Sequence, residues 1–388
     1  MTNNSSVEKP KDLVVTPPPQ ITGTMSKNRI MTYTFAALMA ITIITAILWW
    51  PAMTPHPDLD YLGLTGFIAM PLGAILLLNA LIAVGVAVIS DLIIGKAAAD
   101  SEVNTMSAAV FGLIVALSYS IGVPMMAMGE MMPISTLCAP GCFIYVALIS
   151  FIGLVVFKKL QSSLIGRKLV NPAATAKLLV LLPFLTSTFI VKEHWASLDA
   201  GGIGMPKLAS NLVTEYMGTS WTFADSLKGC YGLPGAADPG GMNSLMLLTK
   251  FHGWPGGASS IAVIIIGAIL IFLLRDYFKW RITATYLGSV AVMSAVMFGI
   301  YGGDLMTRLL FGLFVGSSIF LAFFMATDPA STPYSRTGQI IFGIGLGVLT
   351  VLIQTYMNFF GGALLALVIM NLTVPLLDRI RIHKPFGR

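Results

Sequence analysis

Long apolar runs separated by short polar segments make up the chain from residue 30 onward. Each run is close to the roughly 20 residues that a helix needs to cross the hydrocarbon core of a bilayer. The alternating pattern of a membrane β-barrel is absent from these runs, and backbone groups in lipid then require helices. The pattern therefore predicts about ten transmembrane helices. They are expected over residues 30–50, 72–93, 105–124, 137–157, 172–191, 258–275, 283–301, 305–326, 338–355 and 358–377.

Lysine and arginine follow an alternating distribution among the connections. The connections 51–62, 125–136 and 302–304 contain neither residue, whereas both termini and the segments after the second, fourth, sixth and eighth runs are basic. Basic segments stay on the cytoplasmic side of a membrane protein. The distribution therefore predicts an even number of helices, with both termini in the cytoplasm.

Composition gives the same class of protein. Of the 388 residues, 56% are hydrophobic and 10% are charged, whereas a soluble domain has about 25% charged residues. The net charge of +6 is explained by the basic connections, so nucleic-acid binding is not expected. We predict an all-α polytopic protein of the prokaryotic cytoplasmic membrane, in contact with the lipid bilayer.

The domain organisation follows from the same pattern. Residues 1–28 are polar and proline-rich, without the apolar segment of a signal peptide, and we interpret them as a disordered cytoplasmic tail. Five predicted helices over 29–191 form a first membrane half, and five over 258–378 form a second. Between them, 192–257 is predicted to be a long extracytoplasmic loop, and 379–388 a basic cytoplasmic tail. A loop of this length is usually functional or disordered.

Two polar breaks with similar sequences interrupt the apolar pattern. One is the segment Thr327-Asp328-Pro329-Ala330, and the other is Asn171-Pro172-Ala173. Proline ends or kinks a helix, and helix ends at membrane depth can point at an ion or an anionic group. The alternative is a turn at the membrane surface with a capping Asp or Asn, which is the common arrangement. The repetition also suggests an imperfect internal repeat.

Three ionisable residues fall inside predicted helices, namely Asp91, Lys177 and Arg308. Ionisable residues within a membrane are by default candidates for an ion pathway. The alternative is an interfacial position, because each lies within a turn or two of a predicted helix end. Lysine and arginine side chains there can extend to the interface.

The cysteines give a weaker signal. Cys138 and Cys142 are separated by three residues, which is not a standard zinc or redox spacing. Buried structural cysteines are the favoured interpretation, and an iron–sulfur site shared with another subunit is the alternative.

No P-loop, nucleophile elbow or zinc-protease motif occurs, so ATP-driven transport by this chain alone is not expected.

The segment 322–378 carries a resemblance to a known family. It reads FFMATDPASTPYSRTGQIIFGIGLGVLTVLIQTY and then ALLALVIMNLTVPLLD. It resembles the RnfD family, the D subunits of the Rnf complex. That complex is an ion-translocating ferredoxin-dependent oxidoreductase related to the sodium-pumping NADH:quinone reductase. The segments 100–124, 166–179 and 257–282 resemble other parts of the same family in the same order.

The resemblance implies electron transfer through flavins, coupled to movement of Na⁺ or H⁺. It implies partner subunits that carry iron–sulfur clusters and flavins, with ferredoxin as an indirect partner. The family esterifies FMN to a threonine of an S-G-A-T motif in the outer loop. That motif is absent here, and the best match is Thr219-Ser220-Trp221-Thr222, which makes Thr222 the candidate for the FMN ester. The rival alignment, at 234–237, has no hydroxyl at the fourth position, so the flavin would then be non-covalent or missing.

Other functions stay open on the sequence alone. A channel or secondary transporter with a midplane site also uses repeated helix breaks, and a scaffold subunit that has lost its flavin would keep the same helices. The topology puts both breaks on the cytoplasmic side, opposite the outer loop. Asn171, Asp328 and Asp91 are therefore candidates for the inner end of an ion path or for a second, inner cofactor.

Overall fold

The computed structural model describes eleven stretches of the chain. They are residues 26–50, 53–54, 70–97, 105–119, 140–166, 168–180, 254–275, 277–301, 305–314, 318–356 and 362–381. The predicted disordered tail lies almost entirely outside these residues, and so does the predicted outer loop up to residue 253. Both stay predictions, as does the division of the chain into two membrane halves.

Helices make up nearly all of the described residues. They are α1 (Lys27–Leu48), α2 (Leu72–Ala97), α3 (Thr105–Ser118), α4 (Pro140–Ile152, continued by a π-helix over Gly153–Leu160 and by Gln161–Ile165), α5 (172–180), α6 (Ser260–Leu273), α7 (Trp280–Tyr301), α8 (Leu305–Phe314), α9 (Ser318–Phe320, continued by a π-helix over Leu321–Met325), α10 (Arg336–Tyr356) and α11 (Gly362–Leu377). Short 3₁₀ turns cover Pro255–Gly257 and Asp378–Arg381. Within the described stretches, one antiparallel pairing joins β1 (Met53–Thr54) to β2 (Met70–Pro71).

Six of the described helices are long and apolar enough to cross a membrane. They lie within Lys27–Leu48, Gly73–Ala97, Phe143–Ile165, Trp280–Ile300, Arg336–Thr355 and Gly362–Ile380. The apolar helices α3 and α6 have 14 residues each. Helix occurs in the described part of each of the ten predicted runs, and the eighth run contains two segments, α8 and α9. The predicted all-α polytopic membrane fold is confirmed.

The helices pack in pairs along their lengths, α2 with α3, α7 with α10, and α10 with α11. Glycine permits the closest approaches, as is usual between helices in membranes. A methyl group at Gly112 of α3 would lie 2.6 Å from the Cα of Val84 in α2. At Gly347 of α10 it would lie 2.8 Å from the carbonyl oxygen of Tyr286 in α7.

Gly112→Ala tests the α2–α3 contact. The added methyl meets backbone atoms that cannot rotate away, so we expect a loss of roughly 1–3 kcal/mol in unfolding free energy. Gly85→Ala on α2 is the matched control, because its methyl would meet nothing within 4 Å. It should leave stability unchanged or raise it by about 0.5–1 kcal/mol. Unfolding of both variants in detergent measures the difference, and equal stabilities would contradict the close packing.

Candidate functional site

Asn171 begins helix α5 as its N-cap. Its side-chain Oδ1 accepts hydrogen bonds from the backbone N–H groups of Ala173 and Ala174, at 3.1 and 3.2 Å. Pro172 occupies the first helical position, where a missing N–H has no cost. The capping interpretation of this break is therefore confirmed.

The same side chain also joins the two breaks. Asn171 is only 4% exposed, and its Nδ2 donates a hydrogen bond to the carbonyl of Met325 at 3.1 Å. Met325 is the last residue of the π-helix that leads into Thr327 and Asp328. The sequence predicted both breaks on one side of the membrane but did not predict this contact. One amide thus caps one helix and binds the end of another.

Asp328 holds a turn and does not cap a helix. Its Oδ1 accepts from the N–H of Ala330 at 3.3 Å, and its Oδ2 accepts from the hydroxyl of Ser331 at 3.1 Å. The next helix, α10, is capped by Ser335, whose Oγ accepts from the N–H of Gly338 at 3.0 Å. The expectation of a capping aspartate is wrong for this break, because the turn continues for several residues before the helix begins.

Two charged side chains from other elements hold the segment from Thr327 to Tyr334, which contains the break after α9. The Lys279 ammonium donates to the Thr332 hydroxyl at 2.7 Å and to the carbonyls of Thr332 and Pro329. Asp378, after α11, accepts from the N–H of Tyr334 at 2.9 Å. Lys279 belongs to the basic segment after the sixth predicted run, and it therefore has a structural contact in addition to its effect on membrane topology. The break is a segment held from both sides.

A cavity of about 150 Å³ lies where the two breaks meet. Both breaks line it, with side chains of α1, α3, α4, α6 and α9. Its polar lining residues are Thr34, Ser107, Lys158, Lys168, Asn171, Thr327 and Asp328. The remaining lining is mostly aliphatic and aromatic and includes Phe111, Phe323 and Phe324. Asn171 and Asp328, predicted as inner-site candidates, thus share one cavity.

Lysine residues supply positive charge to this cavity. The ammonium of Lys158, carried by the π-helix of α4, donates to the carbonyl of Ser107 at 2.8 Å and lies 5.7 Å from the Phe111 ring centroid. It interacts electrostatically with Asp91, Asp328, Lys159 and Lys168. Three lysine side chains and two carboxylates therefore form one electrostatic cluster, with Asp91 on α2, Lys158 and Lys159 on α4, and Lys168 and Asp328 in the segments that follow α4 and α9.

Asp91 forms a buried ion pair in this cluster. The carboxylate is 2% exposed, and its Oδ1 lies 2.8 Å from the Lys159 ammonium, whose side chain is 26% exposed. Its Oδ2 is buried without a hydrogen-bond partner among the described residues. Asp91 is therefore buried by α4 and paired with Lys159. Its participation in an ion path stays a prediction.

Lys177 does not extend to the interface. It is 5% exposed, its ammonium donates to the carbonyl of Ser118, and it lies 4.6 Å from the ring centroid of Trp254. The alternative of a side chain that extends to the interface does not hold for Lys177, because α3 and the segment before α6 enclose it. The side chain of Arg308 lies outside the described part of the structure.

A column of aromatic rings leads from Lys177 towards the cavity. Trp254 meets Phe320 edge to face at 6.3 Å between ring centroids, and Phe320 stacks on Phe324 at 5.3 Å. Phe324 lines the cavity. Nothing in the sequence pattern indicated this column, because Trp254 is far from the two phenylalanines in the chain and phenylalanine is common in apolar helices.

Several predicted residues lie beyond the described stretches. Thr219, Ser220 and Thr222 are outside them, as is Cys138. Cys142 belongs to α4, but its side chain is not among the described ones. Across the described stretches, no group of three or more His, Cys, Asp and Glu residues could hold a metal ion.

Comparison with protein-family models identifies the chain. Residues 14–387 match the model described as the NQR2, RnfD, RnfE family. The chain belongs to this family. The resemblance predicted from the TDPA and VPLLD segments is confirmed, and so is a multi-pass protein of the prokaryotic cell membrane.

Curated relatives of the family carry related names. The chain is 30% identical over 248 residues to the D subunit of the "Proton-translocating ferredoxin:NAD(+) oxidoreductase complex" of Clostridium ljungdahlii, covering 62% of this chain and 68% of the relative. It is 28% identical over 248 residues to the D subunit of the "Ion-translocating oxidoreductase complex" of Aeromonas hydrophila, covering 60% and 69%. The D subunit of the "Na(+)-translocating ferredoxin:NAD(+) oxidoreductase complex" of Acetobacterium woodii is 32% identical over 140 residues, covering 36% and 41%. The names of these relatives include both proton and sodium translocation.

Proposed function

We propose that the chain is a membrane subunit of an Rnf-type, ion-translocating oxidoreductase complex. It carries electrons from reduced ferredoxin through FMN and couples their transfer to the movement of Na⁺ or H⁺. Its partners are the other membrane subunits of the complex and the subunits that hold iron–sulfur clusters and flavins. Family membership across residues 14–387 and the names of the relatives support this proposal.

The observation that carries the proposal is the hydrogen bond from Asn171 to Met325 beside the inner cavity. It unites two helix breaks, and transporters use discontinuous helices in this way to bind ions and substrates. The cavity has one aromatic wall at Phe324, with the amide of Asn171 and the ammonium of Lys158 in its lining. These groups suit a planar ring with polar edges, but a volume of about 150 Å³ is that of a benzene-sized ring, so a second, inner flavin would require a wider cavity than this one.

A flavin would supply the capacity to accept and donate electrons, while the protein supplies orientation and electrostatics. Asn171 would offer a fixed amide, and the stacked rings of Phe324 and Phe320 exclude water on one side. The ammonium groups of Lys158 and Lys168 favour negative charge in the cavity. Asp91 and Asp328, which share the electrostatic cluster of Lys158, are our candidates for the inner end of the ion path.

Thr222 is the proposed site of the covalent FMN in the outer loop, with Thr219 and Ser220 beside it. In-gel ultraviolet fluorescence of the denatured chain tests this directly. We expect a fluorescent band from the wild type and none from Thr222→Ala, because the phosphoester needs that hydroxyl. Thr219→Ala is the matched control and should keep the band. A fluorescent Thr222→Ala band would refute the assignment to Thr222, and a wild type without covalent or acid-released flavin would refute the electron-carrier role.

The transporter alternative is favoured by one observation, the cavity between helix breaks. Reconstitution of the chain alone into liposomes distinguishes the two functions. Ion or solute flux without any electron donor would support a channel or secondary transporter. If liposomes with the chain alone show no flux, and ions cross only when the complete complex is present and reduced, the result supports a subunit of a redox-driven pump.

A further inference from the structure

Asn371 is a buried polar residue outside the lining of the inner cavity. It lies in α11, within the segment Met370-Asn371-Leu372-Thr373-Val374-Pro375. The residue is 0% exposed, and neither its Oδ1 nor its Nδ2 has a hydrogen-bond partner among the described residues. Buried amides are nearly always paired, and an ordered water or an ion is one explanation for an exception.

Pro375 adds a second polar atom at the same place. It lies inside α11, four residues after Asn371. In an α-helix the N–H of residue 375 would donate to the carbonyl of residue 371, and proline has no N–H. The nearby Thr373 hydroxyl donates to the carbonyl of Met370 at 2.7 Å, so it does not replace that donor. The backbone and the side chain of Asn371 thus both present an oxygen without its usual partner.

Helix α10 packs against both α11 and α7. Gly345 of α10 faces Met370, and Gly347, two residues further, faces the carbonyl of Tyr286 in α7. Asn371 therefore belongs to the helix on one side of α10, and Tyr286 to the helix on another side. The Tyr286 hydroxyl lies near those of Ser318 and Thr350, and Tyr286, Ser318, Thr350 and Asn371 are all fully buried.

The chemistry of these atoms favours one kind of ligand. Unpaired backbone and amide groups are unfavourable in the hydrocarbon region, so a ligand that satisfies them gains free energy. Carbonyls freed by helix irregularities coordinate Na⁺ in membrane transporters. Divalent cations instead favour carboxylates, and none is present in the segment 370–375. A neutral oxygen site can hold a monovalent cation and release it again.

We propose that Asn371 is a ligand for a Na⁺ ion within the membrane. Its side-chain Oδ1 and its backbone carbonyl coordinate the ion, and its Nδ2 donates to a water molecule that the ion retains. The claim that this Na⁺ ion is the one that is translocated rests on the proposed function. Binding itself requires no electron transfer, and it is therefore measured without turnover.

The experiment measures thermal unfolding of the full chain in detergent as NaCl replaces choline chloride at constant ionic strength. A ligand that binds only the folded state raises the unfolding midpoint with its concentration. We expect the midpoint of the wild type to rise with NaCl. In Asn371→Leu the rise should be lost, or its half-saturating concentration should increase at least about tenfold, since the substitution removes one of the two coordinating oxygens. Asn79→Leu, which removes another buried asparagine, is the matched control and should keep the wild-type response.

A second variant separates ion binding from a structural role. Pro375→Ala restores an N–H that can occupy the carbonyl of Asn371, so it should raise the midpoint in choline chloride yet weaken the response to NaCl. If Asn371→Leu does not fold, the response of the Pro375→Ala midpoint to NaCl tests the site instead. A wild type that responds equally to NaCl and choline chloride, or unchanged responses in both variants, would overturn the site. Flavin content, measured on the same samples, tests the proposed function independently.

Discussion

Replacing Lys159 with methionine is expected to lower the free energy of unfolding by roughly 2–3 kcal/mol, because it leaves a buried carboxylate without its counter-ion. Asp91 is 2% exposed and Lys159 is its ion-pair partner at 2.8 Å. The partial exposure of Lys159 admits some solvent, so we expect less than the roughly 3–5 kcal/mol that breaking a fully buried pair costs. Chemical unfolding in detergent measures the loss.

A double-mutant cycle isolates the ion pair from other effects of the substitution. Asp91→Asn together with Lys159→Met removes both charges, and it should be more stable than Lys159→Met alone. The coupling between the two positions is then the measure of the pair. Additive losses would mean that Lys159 does not compensate Asp91. In that case the two residues do not form the charge cluster beside the cavity.

Asn171→Ala is expected to have the second large effect, a loss of roughly 2–3 kcal/mol that combines a missing N-cap with a lost buried hydrogen bond. The Met325 carbonyl would retain the long bond, 3.4 Å, from the N–H of Asp328. We also expect the inner cavity to lose its shape, because the bond from Asn171 joins its two walls. Unfolding in detergent, compared with the wild type, measures the stability loss.

Asn171→Ser separates the two contributions. Serine caps helices about as well as asparagine, but its side chain has one hydroxyl and is too short to span both the cap and Met325. It should recover about 1 kcal/mol of the alanine loss and still lack the bond between the breaks. Equal stability of the serine variant and the wild type would show that the bond to Met325 contributes nothing measurable.

The fold was largely predictable from the sequence because its main determinants are local. A bilayer demands apolar runs of defined length, and proline and asparagine mark helix ends by their backbone chemistry. Helix therefore appears in every predicted run, and Asn171 caps α5 as expected. The eighth run was predicted as one helix. Its described parts, α8 and α9, are both helical.

The candidate site was predictable only as a set of residues on one side of the membrane. Its geometry depends on contacts between distant residues, such as Asn171 with Met325, which are 154 positions apart. The burial of Lys177 was not predicted, because it depends on Trp254 and Ser118 from other parts of the chain. Asp328 also differed from expectation, since its carboxylate bonds within the turn that follows it. Such partners are set by packing, which periodicity does not encode.

Electron transfer through the complex that contains this chain is expected to move ions across the membrane. Inverted membrane vesicles from a cell that makes the complete complex test this coupling most directly, with uptake of radioactive Na⁺ and acidification of the lumen measured after reduced ferredoxin and NAD⁺ are added. We expect uptake of one of the two ions, dependent on ferredoxin and abolished when this chain is deleted. Uptake that persists without the chain, or oxidation of ferredoxin through the complex without any ion movement, would contradict the coupling.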